Sequence, residues 1–312
     1  MLRRISVVLA SYNGIKFIGE QLDSIREQIK RPDEVIIADD KSTDGTFEYC
    51  KQYVVDNNLL KWTVYSNTQN LGVNKNFREA LKRATGDYIF TCDQDDVWTP
   101  DKISSMIQVM DERPEILLLC SNYLPMRDGE IIHAHVRNIS RDDGTVIPMR
   151  LKKFWLGNLR PGCTFCFRRE LLSRFSIMDV PERAHDSMLW KYAIVADGLY
   201  LLNRQLILYR RHESNSTNQF DRKPITLKQR IEISDSEIEF HRKFLDCSEK
   251  LGIPPKNQKA LKGKMKFLER RKKILSRHNT FLISLFVLFN MKYYPTLRNA
   301  LSDIYAALKL KG

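Results

Sequence analysis

The 312-residue sequence contains neither G-x-G-x-x-G nor G-x-x-x-x-G-K-[ST]. Their absence argues against a standard dinucleotide site and against a P-loop NTPase. It has one Cys-x-x-Cys, Cys163 to Cys166, and no second pair to complete a zinc site. The six cysteines (50, 92, 120, 163, 166, 247) are scattered, the pattern of reduced thiols in a cytoplasmic protein. No secretory signal is read at the start, where Met1-Leu2-Arg3-Arg4 runs straight into a strand pattern. The longest strongly apolar run, Phe281 to Phe289 with Ser284 inside it, falls short of the about 20 residues a bilayer span needs. Internal repeats and low-complexity segments are missing too.

What is present is the 43% apolar content of a soluble globular protein and a net charge of +13, unevenly placed. Residues 1–220 carry 30 Lys+Arg against 29 Asp+Glu, whereas residues 221–312 carry 21 against 9. The first part is near neutral and the tail holds the positive field. The length allows one large domain with an appendage, or two modest domains.

Ile5 to Ala10 is a β-branched strand that ends in the polar turn Ser11-Tyr12-Asn13-Gly14. A helix is predicted next, with Ile15, Ile18, Leu22, Ile25 and Ile29 at helical spacing. Glu34 to Ala38 is a second strand ending at Asp39-Asp40, and the turn Ser42 to Thr46 opens a second helix. Trp62 to Tyr65 is a third strand, Asn74 to Ala84 a third helix, and Asp87 to Cys92 a fourth strand. Four such alternations predict an α/β fold with a mostly parallel, doubly wound sheet. Shorter strands follow near 116–121, 164–167, 198–202 and 205–209, with helices near 169–176 and 185–196. Beyond about residue 220 the sequence reads as a helical, Lys-rich extension.

The fourth strand runs into Asp93-Gln94-Asp95-Asp96, three carboxylates in four residues, just before Trp98-Thr99-Pro100-Asp101, where a helix should begin. Ligands of open α/β sheets bind outside the carboxyl ends of strands. Crowded carboxylates repel one another, and a hard divalent cation, Mg²⁺ or Mn²⁺, relieves that; such an ion usually shares its sphere with substrate phosphates. The competing reading is a solvated acidic turn. Asp39-Asp40 sits at a neighbouring strand end and converges on the same crevice, where one acidic pair could face a base and ribose and the other a metal-bound diphosphate.

Four segments, Ser11 to Gly14, Asp39 to Thr46, Asn70 to Phe77 and Asp93 to Trp98, resemble in order and spacing the successive motifs of the family 2 glycosyltransferases. The resemblance covers roughly residues 4–220 and implies the GT-A nucleotide-diphospho-sugar transferase fold for a catalytic domain at 1–220; residues 221–312 read from their own composition as a basic helical region for membrane association or dimerisation. Pro161 to Thr164, His185 to Trp190 and Tyr209 to Asn215 are similar to the bacterial rhamnosyltransferase branch, which builds capsule, O-antigen and cell-wall rhamnan. By that resemblance Asp39, with Ser11, Tyr12 and Asn13, faces the pyrimidine, while Asp40, Lys75 and Asn76 help hold the nucleotide. Asp93 approaches the ribose or metal, Asp95 ligates the metal, and His212 joins them, with Arg210 and Arg211 supplying positive charge. Asp186 matches the catalytic base. Trp98, Gly162, Cys163, Thr164, His185 and Trp190 are candidates for the acceptor or sugar pocket. Many family members carry an acidic pair where this chain has His185-Asp186; the rhamnosyltransferase branch has the same His-Asp pair.

The implied reaction is inverting transfer of a sugar, best matched by L-rhamnose from dTDP-L-rhamnose, to a lipid-linked saccharide on a bacterial cell-surface polymer. A UDP- or GDP-hexose donor is the alternative, and a sugar nucleotidyltransferase a more distant one, since Ser11 to Lys16 lacks the Gly-rich, basic loop of that class. Simpler readings stand beside several residues. Asp186 could cap a helix, Trp98 and Trp190 could be core, Cys163 and Cys166 could be packing, and His133 and His135 read as surface strand residues.

The tail adds ten Lys+Arg and one acid between Lys256 and Arg277, then the greasy run 281–289 and Tyr293-Tyr294. A basic helix followed by a short apolar, aromatic-rimmed one suits an anionic membrane surface. That predicts a peripheral enzyme at the inner face of the cytoplasmic membrane; a helix docked on the catalytic domain or in a homodimer is the other reading. A nucleic-acid-binding protein, suggested only by the basic tail, would leave the motifs of residues 11–215 without a purpose, so no nucleic-acid partner is expected.

Overall fold

The computed structural model describes residues 3–132, 141–151, 158–178, 180, 182–212, 226–294 and 296–309. His133, His135, Glu213, Ser214 and Asn215 therefore lie outside the described residues. The chain divides into two compact units. One takes in residues 1–149, 157–194 and 198–213; the other comprises 150–156, 195–197 and 214–312.

In the first unit, strands β1 (Ile5–Ser11), β2 (Glu34–Asp39), β3 (Trp62–Ser66) and β4 (Tyr88–Asp93) alternate with helices α1 (Ile18–Arg26), α2 (Thr46–Asp56) and α3 (Val73–Arg83). They are followed by β5 (Val97–Trp98), α4 (Lys102–Glu112), β6 (Leu118–Arg127), β7 (Glu130–Ile131), β8 (Val146–Pro148), β9 (Phe165–Arg168), α5 (Glu170–Ile177), α6 (His185–Val195) and β10 (Leu199–Arg210). The strand order is β3-β2-β1-β4-β9-β6-β10-β5, with β7 on β6 and β8 on β10. β1 is buried along its whole length, as a strand covered on both faces must be, and its β-branched residues suit that position.

The α/β class and the parallel half from β1 to β4 are as the sequence predicts. The other half is mixed rather than mostly parallel. β9 pairs antiparallel with both β4 and β6, and β5 and β8 pair antiparallel with β10. A four-residue run such as Phe-Cys-Phe-Arg carries no signal of its direction. Two further differences are local. The first helix is shorter than its periodicity, because Phe17 N–H closes a turn onto Gly14 C=O and Ile29 N–H bonds Pro100 C=O, leaving Ile15 and Ile29 exposed. The strands expected at 198–202 and 205–209 are one, with register shifts on either side of Gln205.

The second unit holds helices α7 (Leu227–Asp246), α8 (Pro255–Leu275), α9 (Thr280–Asn290) and α10 (Leu297–Leu308). Thr226 starts α7 with a capping box closed by Gln229. The unit is knit by a buried carboxylate. Asp303 accepts from Arg230 at 3.1 Å, from Arg271 at 2.6 and 2.7 Å, and from Tyr294 Oη at 2.7 Å. A charge so enclosed persists only when paired and hydrogen-bonded. Among the described residues no helix is long and apolar enough to cross a membrane.

Candidate active site

Register places the carboxyl ends of three parallel strands side by side, because Ser11 pairs with Asp39 and Ala10 with Asp93. The turn after β1 is laced to the turn after β2. Asn13 N–H donates to Ser42 Oγ at 2.9 Å, Thr43 N–H donates to Asn13 Oδ1 at 2.9 Å, and Gly14 N–H donates to Thr46 Oγ1 at 2.9 Å. Asn13 sits at φ 47°, a left-handed conformation that asparagine tolerates. Tyr12 stays exposed above this turn, held by Gln94, whose side chain bonds both its N–H and its C=O. Asp39 is buried beneath and accepts from Ser42 N–H at 3.0 Å, Ser66 Oγ at 2.9 Å and Ser11 Oγ at 3.3 Å. Ser11, Tyr12, Asn13 and Asp39 thus form one patch.

Asp40 and Asn76 do other work than the nucleotide contact expected of them. Asp40 accepts the Leu71 and Gly72 N–H groups at 2.8 and 2.7 Å and the Asn67 amide at 2.8 Å. Asn76 donates to Ala38 C=O at 2.8 Å and accepts from Asn67 at 2.9 Å. Both side chains are buried and brace the turn that starts α3. That turn needs Gly72, which has φ 80°. Lys75 remains exposed on the first turn of α3.

On the far side of β1, the acidic loop gathers. His212 Nε2 lies 2.7 Å from Asp95 Oδ2, joining residues 117 positions apart. Phe17 packs against the His212 ring, with centroids 4.8 Å apart. Asp93, Asp96 and Cys163 bring their ligand atoms within 4.8 Å of one another. Burial, then the charges of Asp95 and Asp186, push Asp93 up to about 7, against the pull of the Cys163 thiol. Asp96 is driven well up by burial and by Asp95 and Asp93, and its Oδ1 accepts Arg210 N–H at 3.0 Å. It serves the loop as an internal brace. Asp95 and His212 bring an oxygen and an imidazole nitrogen together, and the charge of Asp95 reaches Asp93, a crowding of carboxylates that a divalent cation would relieve. Those residues fit such an ion.

Arg210 is less available than expected. Its guanidinium bonds Glu20 at 2.6 Å and Asp95 C=O at 2.8 Å and lies over Phe17 at 4.8 Å. It holds the acidic loop in place. Arg211 rests its guanidinium over Tyr209 at 5.0 Å.

The third group centres on Asp186 in the first turn of α6. Its Oδ1 accepts Ser187 N–H at 2.6 Å and its Oδ2 accepts Asn158 Nδ2 at 3.2 Å. Gly162 packs against it: a Cβ at Gly162 would lie 2.9 Å from Asp186 Cβ. Thr91 Oγ1 donates to Gly162 C=O at 2.6 Å, tying this segment to β4. The Asp186 charge reaches Asp93, so base candidate and acidic loop share one electrostatic site.

Several pocket candidates turn out to be supports. Trp98 and Trp190 are core, 3% and 0% exposed. Cys163 and Thr164 are buried in a short 3-10 turn, Thr164 Oγ1 donating to Pro161 C=O at 2.7 Å. Burial pushes the Cys163 and Cys166 thiols upward, so neither is a reactive thiolate. His185 stacks on Phe77 at 4.0 Å, and burial lowers it to about 4, so it is a neutral wall behind Asp186. The physical reason is common to all five. Each side chain is buried and packed by its neighbours.

Three contributors escape sequence reasoning. Glu20 and Asn158 act through partners remote in the chain. Lys102 is fully buried beneath the acidic loop, its Nζ 4.7 Å from the Trp98 ring, and the Asp96 and cysteine groups around it partly offset the burial that lowers it to about 8. Its one signal was a lysine inside the apolar stripe of α4 beside Ile103 and Met106.

An α/β sheet with acidic strand ends converging on one crevice, a carboxylate at a helix start beside it, and a helical C-terminal region define a GT-A fold. The chain belongs to glycosyl transferase family 2, whose model matches residues 6–175. It is 27% identical over 218 residues to the dTDP-rhamnosyl transferase RfbG of Shigella flexneri, covering 66% of this chain and 72% of RfbG. An uncharacterised Mycobacterium tuberculosis protein, Rv1520, is 40% identical over 112 residues, 35% of this chain; the match spans 32% of that relative's length. Among solved structures, Staphylococcus aureus TarS 1-349 in complex with UDP-GlcNAc superposes with a TM-score of 0.60 at 17% identity, covering 99% of this chain and 91% of that one. The mannosyltransferase PcManGT of Pyrobaculum calidifontis, in complex with GDP-Man and Mn²⁺, gives 0.56 at 19%, covering 99% and 81%.

Proposed function

We propose that the protein is an inverting glycosyltransferase that moves L-rhamnose from dTDP-L-rhamnose to a hydroxyl of a lipid-linked saccharide at the inner face of the cytoplasmic membrane. The observation that carries this reading is the meeting of Asp95 with His212, 2.7 Å apart, in the same electrostatic site as Asp186. The similarity to RfbG favours the rhamnosyl donor over a UDP- or GDP-linked hexose.

The patch Ser11, Tyr12, Asn13 and Asp39 faces the pyrimidine. Asp93, Asp95 and His212 hold a divalent cation, Mn²⁺ or Mg²⁺, which supplies charge neutralisation for the leaving diphosphate. Lys75 and Arg211 add positive charge beside it. Asp186 takes the proton from the acceptor hydroxyl as that oxygen bonds to the anomeric carbon. The bond from that carbon to the diphosphate oxygen breaks, and its electron pair leaves with the diphosphate. With one base and no covalent intermediate the displacement is single and in line, hence inverting. Residues 1–220 act as the catalytic domain, and 221–312 as an appendage for membrane association, with homodimerisation the competing role.

The test is a nucleotide screen. Thermal shifts with Mn²⁺ should be larger for dTDP than for UDP or GDP, and dTDP release should follow supply of dTDP-L-rhamnose with a rhamnan-type acceptor. Preference for UDP or GDP would refute the rhamnosyl donor while leaving the family reaction in place.

A further inference from the structure

The ten basic residues between Lys256 and Arg277 do not form one free face. Lys264 donates to Tyr293 C=O at 2.9 Å, and Arg271, Lys272 and Lys256 pair with Asp303, Asp235 and Asp197 at 2.6, 2.5 and 2.9 Å. Part of the positive charge therefore holds the helical unit together. The unpartnered surface lies elsewhere, on α9 and α10.

These two helices pack as an antiparallel hairpin, since Thr280 at the start of α9 reaches Ala307 C=O near the end of α10. Ile283 and Val287 of α9 and Ala300, Ala306 and Ala307 of α10 join one buried cluster with Leu227 and Leu275. The opposite faces must point away from that cluster. On α9 they present Phe281, Leu285, Leu288 and Phe289, with both phenylalanines 73% exposed. On α10 they present Leu297, Leu301, Tyr305 and Leu308, each about half exposed. The spacings, i, i+4, i+7 and i+8 on α9 and i, i+4, i+8 and i+11 on α10, make each set a continuous stripe. Apolar patches of this kind mark interaction sites.

Charge decides what covers it. From Ser276 to Lys309 there are four Lys+Arg and one acid, and that acid is the buried Asp303. Arg277, Lys292, Arg298 and Lys309 therefore frame the stripes with no exposed carboxylate among them. A symmetric second copy would set this positive rim against itself. An anionic lipid surface complements it, greasy face to acyl chains and cations to headgroups. At 11 residues α9 is about 16 Å long, half the thickness of a hydrocarbon core, so it lies in the plane.

We infer that the outward face of the α9–α10 hairpin docks in the plane of an anionic bilayer. The inference rests on the proposed membrane site of action and names the surface responsible, including α10. The experiment uses the full chain and sedimentation with phosphatidylcholine vesicles, with and without phosphatidylglycerol. Wild type should bind the anionic vesicles and be released by salt. The combined variant Phe281→Glu, Leu288→Glu and Leu301→Glu alters exposed positions only and should weaken binding by about 100-fold or more, with its thermal stability and Mn²⁺-dependent dTDP binding unchanged. Sedimentation of the variant equal to wild type would overturn the inference, as would failure of wild type to bind either vesicle. So would a dimer, seen by light scattering, that the variant dissociates in the absence of vesicle binding. Loss of dTDP binding in wild type itself would instead strike the donor reading.

Discussion

Lowering the pH from about 7.5 to about 4.5 should destabilise the sheet-bearing unit through His185, because that imidazole is buried neutral. Its folded pKa is about 4 against an ordinary 6.5, lowered first by burial and by the nearby Arg78 charge, with Asp186 pulling the other way. The folded state thus binds fewer protons than the unfolded chain between these values. Stability from this group is fully present above pH about 6.5 and is lost as pH falls towards about 4. At about 1.36 kcal/mol per tenfold difference in proton affinity, the loss reaches about 2.5 kcal/mol at pH about 4.5. His185→Gln removes the titration while keeping a polar side chain. Three of the four tryptophans, Trp62, Trp98 and Trp190, lie in this unit and Trp155 in the other, so urea unfolding is followed by tryptophan fluorescence with Trp155→Phe in both proteins. Buried carboxyls such as Asp93 shift with pH as well, in the opposite sense, and the difference between the two proteins removes their contribution. Wild type should lose about 2.5 kcal/mol more than His185→Gln over this range. Parallel pH profiles for the two proteins would refute the account of a buried neutral His185.

Asp186→Asn keeps the cap to Ser187 but cannot take a proton, so turnover should fall by about 10²–10⁴-fold with dTDP affinity near wild type; equal losses in both would point to a binding role. Activity should vanish in EDTA and return with Mn²⁺ or Mg²⁺, and Asp95→Asn should weaken metal-dependent dTDP binding measured by calorimetry. Full turnover in EDTA would remove the metal from the proposal. Gly162→Ala forces a methyl to within 2.9 Å of Asp186 Cβ, so the base must move, and turnover should drop by about 10²-fold for a displacement near 1 Å while donor affinity stays constant. Unchanged kinetics would show that the carboxylate position is not critical.

Local pattern carried the parallel half of the fold. β1, β2 and β4 are apolar, β-branched runs ended by polar or acidic turns, and such runs declare a buried strand and a strand-end loop whatever the rest of the chain does. The same locality marked Asp93, Asp95 and Asp39 as candidates, since each stands at a strand end, whereas Asp186 was marked by the family resemblance of His185 to Trp190 and by local pattern reads equally as a helix cap. What locality cannot carry is pairing across the chain. That β9 runs antiparallel between β4 and β6 depends on long-range register, and nothing in Phe165 to Arg168 states it. Asp40 and Asn76 look like ligand contacts until the backbone groups of residues 38, 71 and 72 absorb their hydrogen bonds. Arg210 looks like a free cation until Glu20, 190 residues earlier, takes its guanidinium. Lys102 and His185 change character because burial shifts their proton affinities, and burial belongs to the assembled sheet. The tail divides in the same way: composition determined that it is basic and helical, but only packing decided that Arg271 and Lys264 stabilise the helices while α9 and α10 turn their apolar stripes outward. Periodicity specifies which side chains share a face; the partner of that face, and the charge state of what it buries, follow from contacts that form only when the chain closes on itself.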